Sequence, residues 1–258
     1  MNEVNKTLYI PLYGKATVSQ KGIILNDQSA EIIWAKESFE LKGKSKSKWL
    51  AYYMGMRSRV FDDWTKEKIA ENPNATVIHI GCGLDSRIER VGYADRWYDV
   101  DFPEVIAERR KYFRDSDSYI MLCADVRESG WLNSLSGNTA IVIMEGVSMY
   151  LTQDEMARLF SNIWGRFEKV YLLMDCYTSF AAKMSKIKNP INDVGVTQVY
   201  GMDDPAALTM TGMEYKGELD MTPDYLINEL SGMERAIFKS VYGGSASKKL
   251  YRLYEYRK

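Results

Sequence analysis

The chain has 258 residues, 46% of them hydrophobic and 27% charged, the balance of an ordinary globular protein with room for one large core. With 34 Lys+Arg against 35 Asp+Glu its net charge is −1, so no long-range field draws it to nucleic acid or an anionic membrane, and neither is expected as a partner. No apolar run approaches the roughly 20 residues that span a bilayer. The opening MNEVNKTLYIPLYGK lacks the basic head and apolar core of a signal peptide, so the cytoplasm is the expected compartment.

About the first 70 residues read as helical. Asp27 can cap a helix through Ile32, Ile33 and Trp34, and from Trp49 to Ala70 apolar positions recur at helical spacing. Between them, KGKSKSK (Lys42 to Lys48) reads as a solvated polar loop rather than a basic binding patch. The pattern then changes. Thr76 to Ile80 is a β-branched strand running into Gly81-Cys82-Gly83, after which the chain can turn helical. Arg96 to Val100 is a second strand ending at Asp101, and Pro103 opens a charged helix, PEVIAERRKYF. Tyr119 to Cys123 is a third strand, running into Asp125, and Thr139 to Met144 a fourth, ending at Glu145. Thr152, with Glu155 three residues on, is the capping-box pattern at the head of a further helix. Lys169 to Met174 is a fifth strand ending at Asp175. Residues 178–222 show no strong period and read as a cap inserted after that strand. Thr222 and Pro223 start a short helix, and two closing strands are predicted at Ala236 to Tyr242 and Lys249 to Tyr256, turned by Gly243-Gly244.

Strands alternating with helices predict an α/β fold. We expect a Rossmann-like, doubly wound, mostly parallel seven-stranded sheet with a C-terminal antiparallel hairpin, an N-terminal helical extension and the inserted cap. Three cysteines, Cys82, Cys123 and Cys176, cannot all pair and match no zinc spacing; they read as reduced, and no metal site is expected.

In open α/β sheets ligands bind beyond the carboxyl ends of the strands, so Gly81, Gly83, Asp101, Asp125, Glu145 and Asp175 belong together. Each acid alone could be a helix cap; several in succession point to a ligand-facing edge. Asp101 follows Gly81 by 20 residues, the placing of an acid that accepts both hydroxyls of a ribose. Asp125 could accept from an exocyclic amine and the Val126 N–H could serve a ring nitrogen, which suggests adenosine. A dinucleotide fingerprint wants a third glycine where Ser86 stands, and Asp85 beside the turn is unwelcome to a diphosphate. It suits the cationic amino-acid part of S-adenosylmethionine.

At this point the sequence resembles the leucine carboxyl methyltransferase family, which includes tetracenomycin-type polyketide carboxyl methyltransferases. The blocks are PLYGKA (Pro11 to Ala16), MRSRVFDDW (Met56 to Trp64), GCGLDSRIER (Gly81 to Arg90), YDVDFPEV (Tyr98 to Val105), ADVRESGW (Ala124 to Trp131) and MEGVSMYL (Met144 to Leu151). Cys82 stands for the usual Ala and Asp99 for Glu. The resemblance implies a class I methyltransferase using S-adenosylmethionine and leaving S-adenosylhomocysteine. It implies that Lys15 and Arg57 hold the methionine carboxylate, that Gly81 and Gly83 let the backbone approach, that Asp101 binds ribose, that Asp125 and Val126 bind adenine, and that Glu145 sits near the amino group. Asp62 and Asp63 read as helix-surface acids. The chain is then one domain, with a helical part (1–70), a cofactor-binding core (75–177), the cap (178–222) and a closing helix and hairpin (223–258).

The acceptor follows from acidity. A phenol, pKa about 10, needs a base, whereas a carboxylate, pKa about 4, is already ionised. The single histidine, His79, falls inside the first strand and reads as structural, which leans toward a carboxylate over a hydroxyl, a small-molecule acid being the first reading. Tyr150 could line the acceptor side, with Asp175 and Tyr177 as weaker candidates. A protein C-terminal leucine, a cofactor-binding protein without catalysis, and a nicotinamide-dependent reductase remain the alternatives, the last disfavoured by Asp85 and Ser86. Oligomeric state is not legible.

Overall fold

The β-branched and apolar runs form a seven-stranded sheet in the computed structural model, which describes residues 6–92, 94–185, 198–244 and 247–258. The strands are β1 (Thr76–Ile80), β2 (Arg96–Asp101), β3 (Tyr119–Cys123), β4 (Thr139–Met144), β5 (Lys169–Tyr177), β6 (Glu214–Leu219) and β7 (Tyr251–Arg257). Their order is β3-β2-β1-β4-β5-β7-β6. β1 to β5 are parallel, while β7 runs antiparallel between β5 and β6. The strand order reverses between β1 and β4, and that switch point is where an open α/β sheet leaves a crevice.

Period-two alternation decides what each sheet face carries. Ile78, Ile80, Val142, Met144, Leu172 and Met174 fill one apolar layer. Under it lies α6 (Gln153–Arg166), started by the full capping box of Thr152 and Glu155. The opposite face carries Val77, Trp97, Ile141 and Leu173. The same parity brings His79, Asp99, Asp101, Glu145 and Asp175 to that face. Its cover includes α1 (Tyr9–Gln20), α2 (Gln28–Glu37) and α3 (Lys48–Glu71), with α1 packed against both α2 and α3. Asp27 caps α2 as expected, accepting from Ala30 N–H at 2.8 Å. The remaining helices are α4 (Arg87–Val91), α5 (Pro103–Arg109), α7 (Ser179–Ser185), α8 (Asp224–Ile227) and α9 (Gly232–Tyr242).

The structure differs from the sequence reading at the C-terminal end. Residues 236–242, expected as a strand, are part of α9, so Gly243-Gly244 does not turn a hairpin. The helix is favoured by Phe238, fully buried against Tyr52 and stacked on Tyr242 one turn on, 5.1 Å between ring centroids. The antiparallel pair exists, but β7 pairs with β6, which lies inside the segment read as cap. β6 is half-buried along most of its length and irregular near Gly217, so it shows no clean alternation. β5 also extends three residues further than expected and takes in Asp175 and Tyr177. The 186–197 part of the expected cap lies outside the described residues. Among the described residues no helix is long and apolar enough to cross a membrane, and no group of His, Cys, Asp and Glu could hold a metal ion.

Candidate active site

Beyond the carboxyl ends of β1 to β5 opens a cavity of about 860 Å³, at the large end of the ~300–1,000 Å³ typical of small-molecule sites. Nine residues singled out from the sequence line it: Lys15, Arg57, Gly81, Gly83, Asp101, Asp125, Val126, Glu145 and Tyr150. The glycine turn forms the floor. Gly81 and Gly83 have φ of +66° and +52°, a region that side chains with a Cβ avoid. A Cβ on Gly81 would stand 2.2 Å from Val147 Cγ2, so this glycine answers to packing as well as conformation.

Asp101 ends β2 at the cavity edge. Gly83 N–H donates to its Oδ2 and Phe102 N–H to its Oδ1, both at 2.8 Å. Each oxygen keeps acceptor capacity beyond these bonds. Burial raises its pKa to about 6, partly offset by those two N–H groups. Asp125, by contrast, is partly exposed and gripped by Arg127 Nε at 2.9 and 3.0 Å, which lowers its pKa.

Between β1 and β4 the cover helices deliver cations onto the acidic face. Arg57 Nε pairs with Glu145 Oε1 at 2.9 Å, its Nη1 with Asp175 Oδ2 at 2.8 Å, and Ser58 Oγ donates to Glu145 at 3.0 Å. Arg87 bonds the second oxygen of Glu145 and, through Nε, Asp62 at 2.7 Å. Lys15 Nζ lies 3.0 Å from Asp85, which also faces Arg90 at 2.8 Å. Arg90 ties this group to Asp62 and Asp27, at 2.6 Å each. Five carboxylates (Asp27, Asp62, Asp85, Glu145, Asp175) thus meet four cations (Lys15, Arg57, Arg87, Arg90), a net charge of −1 in a water-poor setting. Burial alone would raise Glu145, but Arg57 and Arg87 hold it at about 2. Asp85 is likewise held well below the usual range, against burial, by Arg90, Lys15 and Arg87. Asp175 goes up instead, because burial outweighs Arg57. Burial lowers Lys15, with Asp85 opposing.

His79 is structural, as expected. Its Nε2 faces Arg87 Nη1 at 3.2 Å and therefore accepts, leaving the proton on Nδ1, 3.2 Å from Asp99 Oδ1. Burial lowers its pKa and keeps it neutral. Asp99 is also bound by Arg109 and by Tyr119 Oη at 2.6 Å; Arg109 overcomes burial and holds it at about 2.

The β5 and β7 side of the cavity is different. Tyr53, Tyr177 and Tyr251 pack edge to face there, with centroids 5.8 and 4.5 Å apart, and Tyr242 lies 5.6 Å from Tyr53. Phe180 and Met184, one turn apart on α7, complete the wall. Burial pushes the phenols of Tyr150 and Tyr251 up, away from any role as base near neutrality. Asp175 is not among the wall residues; it acts on the site through Arg57 and through the Gly146 N–H, which donates to it at 2.6 Å. Met202 and Met213 are core, and Tyr215 packs on Tyr254 and Tyr256.

Two parts of the site escaped the sequence reading. Arg87 and Arg90 stand one turn apart inside GCGLDSRIER, and that spacing on a short helix is a signal that both point the same way. Asp62, read as a surface acid, is buried by these two arginines, whereas Asp63 pairs with Arg59 at the half-exposed surface.

Residues 12–164 match the sequence family described as leucine carboxyl methyltransferase. The chain is 25% identical over 238 residues to the tetracenomycin polyketide synthesis O-methyltransferase TcmP of Streptomyces glaucescens, covering 90% of this chain and 88% of that one. It is 26% identical over 250 residues to the S-adenosyl-L-methionine-dependent methyltransferase dpfgK of Gibberella zeae, covering 85% and 83%. Among solved structures it resembles the magnesium protoporphyrin IX methyltransferase ChlM of Synechocystis PCC 6803 with bound SAH, with a TM-score of 0.53 and 12% identity over 89% of this chain and 94% of that one. This last likeness is one of fold.

Proposed function

The chain belongs to the leucine carboxyl methyltransferase family and is an S-adenosylmethionine-dependent methyltransferase; from that premise we propose that it converts a small-molecule carboxylate to its methyl ester. The bound cofactor supplies an electrophilic methyl group on a sulfonium. The residues present fit it. The net −1 of the buried network suits a ligand carrying a sulfonium, an ammonium and one carboxylate. Lys15 can turn from Asp85 to the ligand's carboxylate beside Arg57, while the ligand's ammonium takes its place at Asp85, near Glu145, an exchange that leaves neither the lysine nor that acid unpaired. Asp101 would take the ribose, and Asp125 with the Val126 N–H the adenine.

One observation carries the choice of acceptor. Among the described residues, the β5/β7 side offers tyrosines, methionines and aliphatic carbon, but no histidine or carboxylate open to act as a base. His79 is buried and neutral, its Nε2 against Arg87 and its Nδ1 facing Asp99, and Glu145 is locked between two arginines. The nucleophile must arrive ionised, which a carboxylate does. Tyr150 then lines the acceptor and orients it rather than taking its proton. TcmP acts in polyketide synthesis, and the aromatic wall here suits a carbon skeleton of that bulk. The test is a panel of aromatic and aliphatic carboxylic acids with methyl-labelled cofactor. Label that mild alkali releases as methanol marks an ester; alkali-stable label on phenols alone would overturn this reading.

Asp101 makes cofactor binding pH-dependent. Its ionised form accepts from ribose, and its pKa in the free protein is about 6. Affinity for S-adenosylhomocysteine should be flat above pH 7 and fall by up to about tenfold per unit below 6. Asp101→Asn should weaken binding at pH 7.5, by about 1–3 kcal/mol, and remove the acid limb. Calorimetry across this range checks both.

A further inference from the structure

Four described segments border the acceptor side of the cavity: 42–48, 179–185, 239–244 and 247–251. They contain eight lysines and no aspartate or glutamate, in a chain whose net charge is −1. Some of these lysines are neutralised from elsewhere, Lys48 by Glu234 at 2.7 Å and Lys239 by Asp224 at 2.8 Å. Lys44 is not: among the described residues it has no acidic partner, and it lines the cavity. Every other Lys or Arg on the described wall is already paired: Lys15 with Asp85, Arg57 with Glu145 and Asp175, Arg127 with Asp125. The turn that presents Lys44 is fixed. Gly43–Lys46 forms one 3₁₀ turn, Ser45 is fully buried beneath it, and Tyr13 Oη donates to Lys46 O at 3.2 Å. KGKSKSK is therefore a positioned basic lip, with its backbone tied down and the Lys44 side chain in solvent at the mouth.

Resting on the carboxylate reading, we propose that Lys44 binds a second anionic group of the acceptor, a carboxylate, sulfate or phosphate at the end opposite the one methylated. The acceptor is then an elongated acid with an apolar body lying along Tyr53, Phe180, Met184 and Tyr251. Lys44 does not suit the reacting carboxylate itself. An ammonium there would damp the nucleophile and lose its partner when the neutral ester forms. A remote anion keeps its charge throughout, so the contact is equal in ground and transition states and acts on KM rather than kcat.

The experiment compares naphthalene-2,6-dicarboxylate with 2-naphthoate as acceptors for the wild-type protein, Lys44→Gln and Lys46→Gln. Lys46 is equally charged and lies on the same turn but not on the cavity wall. The expected result is a KM about fivefold lower for the dianion, the upper range for an exposed ion pair. Lys44→Gln should abolish that preference without changing kcat, Lys46→Gln should preserve it, and raised salt should erode it. Equal KM values for the two acids, or equal effects of the two substitutions, would overturn this inference alone. Methylation of neither acid, in a protein that still binds S-adenosylhomocysteine, would overturn it together with the carboxylate reading.

Discussion

Replacing Arg57 by methionine should cost about 3–5 kcal/mol of folding stability, because it leaves Glu145 and Asp175 buried with their shared cation gone. The network shifts from four cations against five acids to three against five. Urea unfolding should show the loss, and S-adenosylhomocysteine binding should fall at least tenfold in whatever folded fraction remains. Adding Glu145→Gln should recover part of the stability, since it removes one stranded charge. The pH dependence separates this from simple loss of packing. In the wild type Glu145 has a folded pKa of about 2, below its unfolded value of 4.5. Its stabilising contribution is therefore present above pH 4.5 and lost as pH falls toward 2. Without Arg57 the carboxyl should titrate higher, and acidification below neutrality should relieve the variant before it harms it. A variant as stable as wild type, with unchanged affinity, would remove Arg57 from the account.

Gly81→Ala should be nearly as damaging, for two separable reasons. The residue sits at φ +66°, where an alanine costs about 1–2 kcal/mol. Its Cβ would also lie 2.2 Å from Val147 Cγ2, an overlap of backbone-anchored groups that forces the turn or the β4 loop to move, at about 1–3 kcal/mol. Gly81→Ala should lower thermal stability and, because the turn is the cavity floor, weaken cofactor binding more than the stability loss alone explains. Pairing it with Val147→Ala removes the overlap but not the strained φ, and should restore only part of each. Full restoration would make the clash the whole effect; no restoration would assign it to the backbone.

The sequence carried the central sheet because its signals are local. TAIVIM and YIMLC are short apolar runs with clear ends, and they form β4 and β3 at the expected residues. The Thr152–Glu155 box was readable for the same reason. The cavity wall was legible through topology, since every strand of the parallel set delivers its last residues to one edge. The closing strands were not. β6 lacks alternation, and the stretch that shows β-branched residues, AIFKSVY, is held helical by Phe238 packing on α3, a long-range contact invisible in a window of residues. The same limit hid the role of Asp62. On a helix it resembles its neighbour Asp63, and only the arrival of Arg87 and Arg90 from α4 distinguishes them. The lysine-rich stretch 42–48 was read as solvated because charge runs usually are; its anchoring by Ser45 and Tyr13 depends on folding across 33 residues.

The most direct test of the central claim is calorimetric titration of the purified protein with S-adenosylmethionine and S-adenosylhomocysteine, with reduced nicotinamide dinucleotide as control and with Asp101→Asn alongside. The account predicts one-to-one binding of the first two ligands, none of the third, and clear weakening by the substitution. Absence of binding by both adenosyl ligands, or binding that Asp101→Asn leaves untouched, would contradict the assignment of this cavity as the cofactor site.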